Sequence, residues 1–538
     1  MLTTKSYPLR SYEEVRAALL EKREIALLDV REEDPHAQGH PLFAANLALS
    51  RLELDAYTRL PRRSVPIVLL DAGEGLAARA AARLEALGYT QVALLDGGLD
   101  GWLRAGGEVF RDVNVPSKAF GELVEAERHT PSLSAETVDA LISNGDDVVV
   151  LDARRFDEYQ TMNIPGSISV PGAELVLRAR ALAPNPATRV IVNCAGRTRS
   201  IIGAQSLVNA GLPNPVAALR NGTIGWTLAG QTLEHGSARR FDAQAGRDAP
   251  QLGASRHAAR ALAERAGVAR ATLADAARWA QDAARTTYRF DVRTPAEYEH
   301  AHAAGFLSAP GGQLVQETDM FAPVRGARIV LFDDDGVRAN MTASWLAQMN
   351  HDVYVVDGAT VPDLDAHGAA PGQRPPPPAV DTVTPAQLAA LLDDPRRGTV
   401  VIDVTSSANH VNAHIPGAYW LVRARIAAGF DDLHALPDAQ RYVVTCGTNT
   451  LAPYAAADLA ALTGKPVQVL DGGTQAWIGA GLPVESGAAR LVSPRIDRYR
   501  RPYEGTDNAR AAMQAYLDWE YGLVAQLERD GTHGFFVI

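Results

Sequence analysis

The chain has 538 residues, 46% of them hydrophobic and 21% charged, and carries a formal net charge of −11. That length exceeds what one hydrophobic core serves and predicts roughly three to five domains. The acidic balance excludes a general nucleic-acid or anionic-membrane surface, and two cysteines exclude a disulfide framework, so a reducing, cytoplasmic setting is expected.

Taken in chain order, the first stretch, MLTTKSYPLRSYEEVRAALLEKREIALLDV, lacks the apolar core and small-residue cleavage site of a secretory signal and reads as a helix followed by a strand. No apolar run approaches the roughly 18 residues of a membrane span. From there the elements repeat. Four apolar strands end in aspartate: IALLDVR, VVVLDAR, YRFDVR and VVIDVTS, at Asp29, Asp152, Asp291 and Asp403. A second β-rich run follows each and ends at Asp71, Cys194, Asp333 and Cys446, at separations of 42, 42, 42 and 43 residues. Downstream come an Ala-rich helix, a short strand and a Gly turn beginning at Asp96, Asn221, Asp357 and Asp471. Strands alternating with helices imply a mostly parallel sheet covered on both faces.

The expected architecture is therefore α/β, with four domains at residues 1–115, 130–236, 268–362 and 380–486. The proline-rich stretch APGQRPPPPAVDTVTP (370–385) reads as a stiff linker. Residues 487–538 form a C-terminal helical extension, with apolar residues at the spacing of one amphipathic helix docked on a domain.

The chemistry concentrates in VIVNCAGRTRS (190–200), where a β-branched run ends at Cys194. In parallel α/β sheets, ligands sit beyond the carboxyl ends of the strands. Consecutive N–H groups of Ala195, Gly196, Arg197, Thr198 and Arg199 at a helix N-terminus form an anion-binding cradle. Gly196 lets the backbone curl, and the Arg197 and Arg199 charges favour the thiolate and hold an incoming anion. The pattern suits a nucleophilic cysteine acting on an anionic substrate. Asp152 and Arg154 are expected to tie the base of the loop to the sheet.

The other loops differ. Asp71 and Asp333 replace the cysteine, which makes the first and third domains inactive scaffolds; a metal or base role for these aspartates lacks a second ligand at fixed spacing. Cys446 lies in CGTNTLA, where Gly447, Thr448, Asn449 and Thr450 offer backbone and hydroxyl donors and Leu451 replaces the second arginine. It is a candidate second nucleophile or a structural cysteine. His300, His302, His410 and His414 lack partners for a metal set, and Trp102, Trp226 and Trp477 after the Gly turns read as core.

Together the D-x-R after the first strand, HIPGA in NAHIPGAYW, MNIPGSISVP with Asn163 in place of the usual His, and the DGG…W turns resemble the rhodanese (sulfurtransferase) family over roughly residues 10–486. The resemblance implies four tandem rhodanese-like domains and a persulfide on the loop cysteine. The C-x4-R spacing from Cys194 to Arg199 fits a sulfur-sized loop, whereas related phosphatases have C-x5-R. The implied activity is sulfur transfer from thiosulfate or a similar anionic donor to cyanide, a thiol or a protein acceptor, with no metal or organic cofactor. Two alternatives stand beside it: a sulfur-relay scaffold with weak turnover, and a mercaptopyruvate-type transferase using Cys446.

Overall fold

The computed structural model describes residues 6–369, 372–427, 429–504 and 509–538. Four five-stranded sheets follow one another along the chain, each all-parallel and each in the same order, with the first strand at one edge followed by the fifth, fourth, second and third. In the second sheet these strands are Ser132–Leu133, Val216–Leu219, Arg189–Asn193, Val148–Asp152 and Ile168–Ser169. The fourth strand is thus central. It is covered on both faces, which explains why Val190, Ile191 and Val192 are all buried rather than alternating with polar residues.

Register then fixes the chemistry at the strand ends. Asp152 pairs with Asn193, whose Nδ2 donates to the Asp152 carboxylate at 2.8 Å. Arg154 donates from Nε and Nη2 to the same carboxylate at 2.9 and 2.7 Å and from Nη2 to the Met162 carbonyl at 2.6 Å. The same clamp recurs at Asp29–Arg31 and Asp291–Arg293. In the fourth domain Thr405 replaces the arginine, and His410 Nδ1 meets Asp403 at 2.9 Å. The three tryptophans after the Gly turns are buried, each donating its indole N–H to a backbone carbonyl.

The domains are joined by buried polar contacts as well as apolar ones. Arg338 of the third reaches Glu174 of the second at 2.8 Å, and Arg423 of the fourth makes a two-pronged pair with Glu53 of the first at 2.6 and 2.9 Å. The first and third domains share one apolar core, to which the helix Val115–Arg128 adds Phe120 and Val124.

The tail departs from the single docked helix that its periodicity suggests. After extended chain it forms two helices, Arg510–Tyr521 and Leu523–Asp530, separated at Gly522. The reason is that it serves two surfaces. Met513, Tyr516 and Leu517 pack with Ile224 on the second domain, whereas Leu523 and Leu527 enter the core shared by the first and third domains, and one straight helix cannot face both. Phe535 then packs edge-on against Phe120, with centroids 5.5 Å apart, and against Phe43 at 6.1 Å. Phe535→Ala is expected to cost about 3 kcal/mol through the cavity left behind. Limited proteolysis and the first thermal transition check this: cleavage within the tail should accelerate and the transition should fall.

Candidate active site

Cys194 stands at the carboxyl end of the central strand of the second sheet and is 2% exposed. Its thiol donates to Ser200 Oγ at 3.4 Å, and that hydroxyl donates to the Arg197 carbonyl at 2.8 Å. The Gly turn on the neighbouring strand sets the loop's shape. Thr223 N–H donates to the Cys194 carbonyl and Ile224 N–H to the Ala195 carbonyl, both at 2.9 Å. With those carbonyls drawn outward, the N–H groups of Ala195, Gly196, Arg197, Thr198 and Arg199 have no protein acceptor among the described residues. The turn must be glycine at its second position: Gly222 has φ +54°, and a Cβ there would lie 2.4 Å from the Cys194 carbonyl oxygen.

The two inactive-type loops resolve the same unpaired amides internally. The Asp71 carboxylate accepts from Gly73 N–H at 3.0 Å and Ala77 N–H at 2.9 Å. The Asp333 carboxylate accepts from Gly336 N–H at 3.0 Å and Ala339 N–H at 2.8 Å. In the third domain Asp335 shares the task, accepting from Val337 N–H at 2.7 Å and Arg338 N–H at 3.1 Å, while burial beside Asp335 pushes the Asp333 carboxyl well up; in both loops side-chain carboxyl groups fill the cradle. Where a cysteine replaces the aspartate, the cradle is left for a sulfur anion.

The arginines are placed differently from the sequence expectation. Arg197 does not stand free to receive an anion: Nε and Nη2 donate to Glu122 at 2.7 and 2.8 Å, Nη1 donates to Asn221 at 3.1 Å and Tyr521 Oη at 3.0 Å, and Glu125 also pairs with Nη2. Arg199 makes a fork-on-fork pair with Glu158 at 2.7 and 2.9 Å, and that pairing holds the Glu158 carboxyl down at about 2 against the opposing effect of burial. Burial pushes the Cys194 thiol up, while the Arg199 charge and hydrogen bonds from Ser200 pull the other way. The resting site is therefore near charge balance, with a buried thiol. A cavity of about 250 Å³ on the Arg199 side is lined by Arg154, Glu158, Arg501 and Tyr503 among others.

Sequence reasoning missed Ser200, Glu122, Glu158, Tyr516 and Glu520. Two left a local signal: Ser200 ends the loop motif six residues after Cys194, and Glu158 lies on the short helix following the Asp152–Arg154 clamp; Glu122, Tyr516 and Glu520 are joined to the loop only by packing. Cys446 has a simpler setting. It is 4% exposed, its sulfur accepts from Leu451 N–H at 3.4 Å, and Thr448 and Thr450 hydroxyls pair at 2.9 Å. Asn449 adopts φ +67° in this loop, a left-handed turn that Gly196 of the second domain does not make, contrary to the curling role its sequence position suggests. Gly473 again approaches closely, with a Cβ position 2.3 Å from the Cys446 carbonyl. His410 and His414 stack at 3.9 Å; among the described residues no group of three or more His, Cys, Asp or Glu could hold a metal ion.

A family description for the rhodanese-like domain matches residues 11–105, 134–229, 273–361 and 384–480. The crystal structure of thiosulfate sulfurtransferase from Pseudomonas aeruginosa is 64% identical, with a TM-score of 0.96, covering 99% of this chain and 100% of that one. Single-domain structures cover 20% of the chain: a protein from Anabaena at 28% identity and TM-score 0.18, over 84% of its length, and a rhodanese-related protein from Thermoplasma volcanium at 21% and 0.17, over 97%. No curated protein matches. The chain belongs to the rhodanese-like family. It is a sulfurtransferase built from four tandem copies of that domain. No helix among the described residues is long and apolar enough to cross a membrane.

Because Glu158 neutralises Arg199 beside the sulfur, Glu158→Gln leaves that cation unopposed and favours the thiolate. The alkylation rate of Cys194 with iodoacetamide, followed against pH in a Cys446→Ser background, should have its midpoint lowered by about one unit.

Proposed function

We propose that the chain transfers sulfane sulfur from thiosulfate, or a similar anionic donor, to a thiophilic acceptor through a persulfide on Cys194. The observation that carries this reading is the contrast between loops: carboxylates fill the Asp71 and Asp333 cradles, while the amides around Cys194 remain unpartnered. The activity of the 64% identical Pseudomonas aeruginosa protein supports the same donor class.

The Cys194 thiolate attacks the outer sulfur of thiosulfate. A sulfur–sulfur bond forms to Cys194, the bond to the sulfonate sulfur breaks, and sulfite leaves with that electron pair. The N–H groups of Ala195 to Arg199 then stabilise the charged outer sulfur, as prealigned donors do for a developing anion. In the second half-reaction an acceptor, cyanide or a thiol, attacks the outer sulfur and Cys194 departs as thiolate, giving ping-pong kinetics. Ser200, 3.4 Å from the sulfur, accepts the thiol proton's hydrogen bond at rest and donates to the thiolate once it forms. Arg199 supplies the nearby positive charge, tempered by Glu158. Asp152 and Arg154 hold the strand ends, and no metal or organic cofactor enters a step. Both cysteines are free, which suits a reducing, cytoplasmic setting.

Cys446 is the second candidate carrier, through Gly447, Thr448, Asn449 and Thr450. Among the described residues its loop carries no cation, and this less basic loop beginning Cys-Gly is similar to that of mercaptopyruvate sulfurtransferases, which supports the mercaptopyruvate-type alternative. Intact-mass measurement after thiosulfate treatment tests the assignment. The wild type and Cys446→Ser should gain one sulfur, and Cys194→Ser should gain none. Sulfur gain by Cys194→Ser with thiosulfate would move the activity to the fourth domain.

A further inference from the structure

With Arg197 and Arg199 already engaged by carboxylates, the groups that recognise an anionic donor must be found elsewhere. The tail helix Arg510–Tyr521 lies over the Cys194 loop. A Cβ placed on Gly196 would lie 3.1 Å from the Tyr516 ring and 3.2 Å from Glu520 Oε2. Glu520 is fully buried. Its Oε1 accepts from Tyr516 Oη at 2.9 Å, while Oε2 has no hydrogen-bond partner. A buried carboxylate with a bare oxygen is costly, whereas a neutral acid with its proton on Oε2 is a donor awaiting an acceptor.

The surroundings favour the neutral form. From the helix Val115–Arg128, Glu122 and Lys118 face this region; from the loop, Arg197 and Cys194; from the tail, Tyr503 and Tyr516. Lys118 is held by Asp112 at 2.7 Å and Arg197 by Glu122 and Glu125. Two cations thus already answer three carboxylates, and none is left for Glu520. Burial, with Glu122 adding to it, pushes the Glu520 carboxyl up to about 8.

We infer that Glu520 is a donor-binding residue of the Cys194 site, a neutral carboxylic acid whose Oε2–H donates a hydrogen bond to an oxygen of the donor's sulfonate. This rests on the persulfide reading of Cys194. It makes the tail part of the site: the second domain provides the amides, and the far end of the chain provides the acid. It also selects the donor's chemistry, since an uncharged hydroxyl accommodates an oxyanion at a site with no free guanidinium. Ionised Glu520 repels the same group and has no proton to offer.

Pre-steady-state sulfur loading of the full-length protein, read by rapid quench and intact mass against thiosulfate concentration from pH 7 to pH 9, tests this. Thiosulfate keeps its charge throughout that range, and comparison with Glu520→Gln separates any effect of Cys194 ionisation on half-saturation. In the wild type the half-saturating thiosulfate concentration should rise about tenfold across the range, as expected for a group titrating near the midpoint. Glu520→Gln, which keeps a donor but cannot ionise, should abolish the rise. Glu520→Ala should raise half-saturation at pH 7 by about tenfold or more, the weight of a hydrogen bond to a charged group. Discharge of a preloaded persulfide by cyanide reports whether each variant retains a working loop. A wild-type half-saturation that is flat with pH, or a Glu520→Gln profile that follows the wild-type rise, overturns the inference. Failure of the wild type to load at any pH overturns instead the reading of Cys194 on which it rests.

Discussion

A strand that ends in the middle of a parallel sheet and feeds directly into a helix leaves a ring of backbone N–H groups with nothing to bond. That ring is the constraint around which each of the four domains is organised. Buried amides without acceptors cost free energy, and the helix N-terminus beside them adds partial positive charge. Two domains meet the demand permanently, with the carboxylates of Asp71 and Asp333. The second domain meets it with Cys194, whose small sulfur satisfies the amides poorly at rest. The same polypeptide geometry yields a loop filled by carboxyl side chains or one left open beside a cysteine.

Charge around the reactive loop is arranged by pairs rather than by a free positive field. Arg199 is clasped by Glu158, Arg197 by Glu122 and Glu125, and Lys118 by Asp112. Pairing fixes each guanidinium in space and lets the loop be buried without an uncompensated cation, which would be strongly destabilising there. It also means that the thiol is not ionised simply because arginines stand nearby in sequence. On the proposed reading, anion recognition falls to neutral donors: the loop amides, Ser200 and the acid at Glu520.

The two aspartate-bearing domains have a mechanical role. The first and third share a core into which the tail inserts Leu523, Leu527 and Phe535, so the tail's path toward Cys194 is anchored on domains that carry no reactive sulfur. The second domain is roofed by Tyr516 and Glu520, whereas Cys446 packs in an apolar cluster of its own domain, and that domain joins the central core through Trp420, Val422 and Ala424. Two cysteine loops of the same fold thus acquire different surroundings from what packs on them.

The repeat, its α/β class and the position of Cys194 were legible in the sequence because they rest on local rules. β-branched runs mark doubly covered strands, Asp at a strand end followed by Arg two residues on marks the clamp, and an Asp or Asn followed by Gly marks the turn that must approach the loop. The family resemblance was legible for the same reason: its motifs are short and evenly spaced. The partners of Arg197, the division of the tail into two helices and the arrival of Glu520 over Gly196 were not. These join residues 24 to more than 300 positions apart, and no periodicity encodes which surface will cover which. Sequence by itself determined that a cysteine would stand at the mouth of a central strand, since strand, loop and helix are set by neighbours along the chain. Only tertiary packing decided which charges reach that cysteine, because burial and ion pairing depend on what comes to lie beside it in space.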